Sequence, residues 1–183
     1  MTSFYERALR ELAIVFENLN GNSVQQGLDL IQQARRIALY GVGREGLQIK
    51  GFAMRLYHLG LHAAVVGDMT TPPLSQGDLL IVSAGPGWFS TVDALLTTAR
   101  RAGAATLCIT AQGTGACAAK ADGVITLPAQ TMADGQSAAK SVLPLGSLYE
   151  GALYLLFEGM IVHLQQKLAV SSAVMSGNHT NLE

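Results

Sequence analysis

Arg36-Ile37-Ala38-Leu39-Tyr40-Gly41-Val42-Gly43-Arg44-Glu45-Gly46 runs from a short apolar stretch into a glycine-rich turn, and Leu47–Tyr57 continues it with helical periodicity. The apolar stretch predicts a buried strand over 36–40, and the periodic stretch predicts a helix over about 44–59. A glycine-rich turn feeding a helix can hold an anion, because its free N–H groups point outward and the helix dipole favours negative charge. Further along the chain the same alternation repeats. Strands are predicted at 62–66, 78–83, 104–109 and 123–127, and helices at 90–102, near 114–120, and from Ser147 onward. These strands are short and apolar on both faces, the pattern of a parallel sheet covered by helices. The expected architecture is α/β: a three-layer αβα sandwich with a five-stranded parallel sheet. Ligands in such folds sit at the carboxyl ends of the strands, near a switch in strand order.

The rest of the chain fits one domain over 1–183. Residues 3–33 read as N-terminal helices: an amphipathic one over 3–20, stopped by Asn20-Gly21, and a short one after Ser23. The core spans 36–168, and 170–183 reads as a frayed polar tail. The loop 128–146, with Pro128, Gly135, Pro144 and Gly146, lacks periodicity and is expected to be functional or mobile.

Composition excludes several classes of function. The chain is 49% hydrophobic and 14% charged, which points to apolar surface buried between subunits. With a net charge of −1 and no basic-aromatic strip, nucleic acid is not expected as a partner. The long apolar stretch 145–168 carries Glu150, Glu158 and His163, so a buried helix is expected there, not a membrane span. Cys108 and Cys117 lack metal-ligand spacing and read as reduced core thiols. The charged N-terminus lacks a secretory pattern, so the expected location is cytoplasmic.

Gly41-x-Gly43-x-x-Gly46 alone supports three readings. With Asp68 about twenty residues on, it fits a dinucleotide fingerprint. It also fits a sugar-phosphate loop, or a tight turn that needs glycine for backbone reasons only. No separate substrate domain accompanies the dinucleotide reading.

The surrounding motifs narrow the choice. Gly41–Gly60 with Arg55-Leu56-Tyr57-His58-Leu59-Gly60, then Val66–Pro72, Gly77–Ile81 and Pro144-Leu145-Gly146-Ser147-Leu148-Tyr149-Glu150, together resemble the 6-phospho-3-hexuloisomerases. These are compact members of the sugar-isomerase (SIS) domain family. The resemblance implies an aldose–ketose isomerisation between 3-hexulose 6-phosphate and fructose 6-phosphate, with no metal and no cofactor. It also implies a homotetramer with active sites between subunits. It assigns the proton-transfer base to Glu150 and the ring-opening partner to His58, supplied to a neighbouring subunit's site. A carboxylate suits the base when partial burial raises its pKa. On local pattern, Ser147-x-x-Glu150 is equally a helix capping box, and His58 is equally a C-terminal residue facing the helix dipole.

Two loops carry the expected substrate contacts: Gly43, Arg44 and Glu45 in the first, and Ala84, Gly85, Gly87, Trp88, Ser90 and Thr91 in the second. Both depart from the family. Its first loop carries serine where Glu45 stands, and a carboxylate there competes with phosphate for the helix dipole. Its Ser-Gly-Ser-Gly-x-Thr run is replaced by Ala84-Gly85-Pro86-Gly87-Trp88-Phe89, which loses the hydroxyls and, at Pro86, an N–H. A non-catalytic SIS domain that binds a sugar derivative as sensor or scaffold is therefore the alternative reading, and a dinucleotide-binding module the third.

Overall fold

A computed structural model describes residues 3–134 and 141–182. The elements in chain order are α1 (Phe4–Glu17), α2 (Gly21–Gln33), β1 (Ile37–Gly41), α3 (Gly43–His58), β2 (Ala63–Val65) and β3 (Leu79–Ser83). They continue with α4 (Ser90–Arg101), β4 (Ala105–Thr110), β5 (Gly123–Thr126), α5 (Ser147–Lys167) and α6 (Ser172–Gly177). The five strands form one parallel sheet in the order β2-β1-β3-β4-β5. The expected α/β sandwich is the observed one.

Period-two alternation divides each strand between two cores. Ile37 and Leu39 of β1, Leu79 and Ile81 of β3, and Leu107 and Ile109 of β4 face α2, α3 and α5 in the larger core. Ala38, Leu80, Val82 and Cys108 face α4 in the smaller one, with Cys117 beside them. Both cysteines are buried free thiols.

Helix α5 contacts α1, α2 and α3. It buries Leu153, Leu156 and Leu164 and leaves Tyr154, Leu155 and Val162 exposed, so it is apolar around much of its circumference. Its packing against α3 is fixed by Phe52 and Phe157, whose rings stack with centroids 4.3 Å apart and planes within 5°.

The chain ends differently from the expected tail. Ser171 caps α6, Met175 is buried in the larger core, and the Asn178 side chain donates to the carbonyl of His58. An apolar contact, one capping bond and one hydrogen bond to the end of α3 hold six residues whose polarity suggested fraying. At the other end, Asn20 starts α2 by accepting from the Asn22 N–H, so the expected stop is also a cap. The segment 114–120 forms only a single 3-10 turn, Ala118–Lys120. Of the loop 128–146, residues 135–140 lie outside the described residues.

The Phe52–Phe157 stack joins the middle of α3 to the middle of α5. Phe52→Ala is expected to destabilise the fold by about 3–5 kcal/mol. Urea unfolding should show a lower midpoint with an unchanged slope.

Candidate active site

The strand order reverses between β1 and β3, and α3 and α4 leave their carboxyl ends in sequence. Gly41 of β1 pairs with Ser83 of β3 at that end. The turn after β1 is closed so tightly that a Cβ on Gly46 would stand 2.6 Å from the Gly41 carbonyl oxygen. Glycine is needed at 46 for this approach, which aims the first turn of α3 across the switch point.

A cavity of about 510 Å³ opens there. Its wall includes Val42, Phe89 and Gly146, the N-cap residues of α3, α4 and α5. None of the three caps its helix with a side chain, whereas Ser3, Asn20 and Ser171 do so for α1, α2 and α6. Three helix ends with uncapped first-turn N–H groups thus meet at one cavity. Each contributes partial positive charge, and together they favour an anion.

Glu45 and Glu150 both line this cavity. Glu45 is buried, and its Oε2 accepts from Ser83 Oγ at 2.6 Å and from the Gly85 N–H at 3.1 Å. Ser83 Oγ lies 3.2 Å from the Tyr149 hydroxyl, so α3, β3 and α5 are joined through one carboxyl group. Burial pushes the Glu45 pKa above the usual carboxylate value, and the nearby Glu150 charge adds to the rise, while the bonds from Ser83 and Gly85 oppose it. Gly85 has no room for a side chain: a Cβ would meet Glu45 Oε1 at 2.8 Å and the Tyr149 ring at 2.9 Å.

Glu150 pairs with Arg44 at 3.1 Å. The same guanidinium donates to Ser147 Oγ at 3.1 Å and to the Leu145 carbonyl. Leu145 has φ of 55° and Gly146 of 85°; this left-handed pair turns the Leu145 carbonyl toward Arg44. The capping-box reading does not hold. Gly146 is the N-cap, Ser147 lies inside α5, and the Glu150 carboxylate is spent on Arg44 and the cavity. Burial raises the Glu150 pKa, and the Arg44 charge pulls it back down.

A family model of the SIS domain matches residues 30–155. The chain belongs to the SIS-domain family. A Bacillus subtilis protein named 3-hexulose-6-phosphate isomerase is 31% identical over 182 residues, covering 100% of this chain and 98% of the relative. A Mycobacterium gastri protein of the same name is 37% identical over 153 residues, covering 84% of this chain and 76% of the relative. Among solved structures, a Methanococcus jannaschii protein, for which a 3-hexulose-6-phosphate isomerase function was inferred, superposes with a TM-score of 0.85 at 27% identity. That alignment covers 98% of both chains. Gly41-x-Gly43-x-x-Gly46 is therefore the first loop of an SIS domain.

Within this SIS domain the expected site residues separate. Gly43, Arg44, Glu45 and Glu150 meet at the cavity, and Gly85 borders it through its bond to Glu45. Ala84 faces the smaller core instead. Gly87 is turned into that loop, with its N–H donating to Ala84 and its carbonyl accepting from Cys117. Trp88, Ser90 and Thr91 are exposed and do not line the cavity. Ser90 and Thr91 do not cap α4, which starts at Phe89 without a side-chain cap. His58 is buried at the far end of α3, fifteen residues from Gly43, a separation of about 22 Å at the α-helical rise. Its ring lies 5.0 Å from that of His179. No group of three or more His, Cys, Asp or Glu side chains suited to a metal occurs among the described residues.

Sequence reasoning missed Ser83, Tyr149 and the segment Thr131–Ala133, which closes one wall. Ser83 was detectable as the polar end of the apolar strand Leu79–Ser83, and Tyr149 as the neighbour of Glu150. Thr131–Ala133 carried no such signal, because the turn is held by Asp134 accepting from the Thr131 N–H and hydroxyl. A larger cleft of about 670 Å³ lies at the opposite, amino end of β1 and β2, beside Arg36 and His62. It contains neither carboxylate of the site.

Removing the Arg44 charge should let burial act on Glu150 unopposed. In Arg44→Ala, carboxyl NMR is expected to show Glu150 titrating at higher pH than in the wild type. Unchanged titration would mean that the ion pair does not form in solution.

Proposed function

We propose that this SIS domain is a sugar-phosphate isomerase that interconverts 3-hexulose 6-phosphate and fructose 6-phosphate. Both sugars are ketoses, so the reaction shifts a ketone between adjacent carbons and is not the aldose–ketose conversion expected from the resemblance. The observation that carries the proposal is the meeting of three uncapped helix N-termini and a partly buried carboxylate at one cavity. The first feature suits a phosphate; the second suits proton transfer at carbon. The names of the Bacillus and Mycobacterium relatives support the same substrate class.

In this reading Glu150, held by Arg44, removes the proton from the carbon next to the ketone and returns it to the neighbouring carbon. Phosphate binding at the helix ends fixes the reacting carbons against it, so binding energy serves orientation. No metal or cofactor is required. Glu45 does not compete for the phosphate as its position in the first helical turn suggested, because its carboxyl group is turned inward onto Ser83 and Gly85.

His58 enters this reading only through a neighbouring subunit's cavity, given its distance within one chain. Exposed Leu47, Met54 and Tyr57 on α3, with Tyr154, Leu155 and Val162 on α5, support a homotetramer. No described helix is long and apolar enough to cross a membrane.

Wild-type protein is expected to isomerise 3-hexulose 6-phosphate, and Glu150→Gln to lower kcat by about 10²–10⁴-fold. The base must be ionised, so the rate should fall as pH drops through the raised Glu150 pKa, above the ordinary value of 4.5. Absence of turnover by wild type counts against the isomerase and favours the sensor or scaffold. Equal turnover by the variant removes Glu150 as the base.

A further inference from the structure

The two oxygens of Glu45 have unlike surroundings. Oε2 accepts from Ser83 Oγ and the Gly85 N–H. The Ser83 proton is committed to Oε2, so in the 3.2 Å contact between Ser83 and Tyr149 the tyrosine must donate. A one-way chain from Tyr149 through Ser83 therefore ends on Oε2. With Oε2 accepting both hydrogen bonds, a proton carried by this carboxyl group belongs on the other oxygen. Oε1 enters neither bond and is the oxygen left for a ligand in the cavity that Glu45 lines. Oε1 lies beside Gly85, where only the absence of a side chain leaves it room: a Cβ there would stand 2.8 Å from it.

We propose that Glu45 is a second catalytic carboxyl group, which gives and recovers the oxygen-bound proton while Glu150 moves the carbon-bound one. This rests on the isomerase reading above. In the first half-reaction Glu150 takes the proton from the carbon beside the ketone, and that C–H pair becomes the C=C bond of an enediol. The ketone oxygen takes its proton from Glu45 Oε1. In the second half, Glu45 as carboxylate takes the proton from the adjacent hydroxyl, whose oxygen becomes the new ketone. Glu150 returns its proton to the former ketone carbon. Both carboxyl groups end as they began, and no oxidant or reductant is used.

The groups facing Glu45 allow this division of labour. From α5 come the Tyr149 phenol, raised well above its usual value by burial, and the Glu150 carboxylate with its Arg44 partner. From β4 comes the Cys108 thiol, pushed by burial to about 12. Phenol and thiol stay neutral at working pH. Glu150 has a cation beside it that favours ionisation, whereas Glu45 has the Glu150 charge opposing it. These unlike neighbours push Glu150 toward the carboxylate and Glu45 toward its protonated form.

The deciding experiment measures kcat and its pH profile on 3-hexulose 6-phosphate for wild type, Glu45→Gln and Ser83→Ala. Glutamine can still accept from Ser83 and Gly85 but cannot release a proton. Its kcat is expected to fall about 10²-fold with little change in KM. Ser83→Ala removes a bond that favours the charged form, so Glu45 should lose its proton at higher pH and the alkaline limb should move up. A merely structural Glu45 gives no limb that follows Ser83. If Glu45→Gln does not fold, the Ser83→Ala profile decides. A glutamine variant within a factor of about three of wild type overturns the role of Glu45 and leaves the isomerase standing. No turnover by wild type overturns both.

Discussion

A single buried carboxyl group holds the two loops of this site together. Glu45 reaches back from the first turn of α3 to the end of β3, where it accepts from a serine hydroxyl and a backbone N–H. A buried carboxyl group without partners is costly, so these bonds are the condition for its place in the fold. They also fix what surrounds it. Gly85 must lack a side chain, Tyr149 must bring its hydroxyl to Ser83, and α5 must start where Arg44 can meet Glu150.

The same bonds set what the second loop can offer a ligand. Here the Gly85 N–H is already taken by a carboxyl group of the chain. Pro86 can follow because the turn is closed by the Gly87 N–H onto the Ala84 carbonyl and uses no N–H at position 86. The positive ends of α3, α4 and α5 remain, and they keep the cavity suited to an anion.

Much of the fold was legible in the chain. Apolar strands of five or six residues alternating with helical patterns lead to a parallel sheet, and the glycine turn after β1 marks the correct end of it. Strand ends shifted by a residue or so, and β2 shrank to three residues at the sheet edge, where one side lacks a partner. The tail was misread because α6 is held by one buried methionine and by caps, which a composition argument does not weigh. Ser147-x-x-Glu150 has the local form of a capping box. Whether it becomes one depends on Arg44, over a hundred residues earlier in the chain.

The sequence by itself determined the α/β architecture, the family and the end of the sheet where the site lies, because these depend on periodicity and short motifs within single elements. The tertiary structure decided which residues share the cavity. It joined Glu45 to Ser83 and Tyr149, paired Arg44 with Glu150, and turned Ala84, Gly87 and Trp88 away. The reason is that desolvation and hydrogen bonding act between groups far apart in the chain. The charge at position 45 is visible in the sequence; the partners that turn it inward are set only by how α3, β3 and α5 pack.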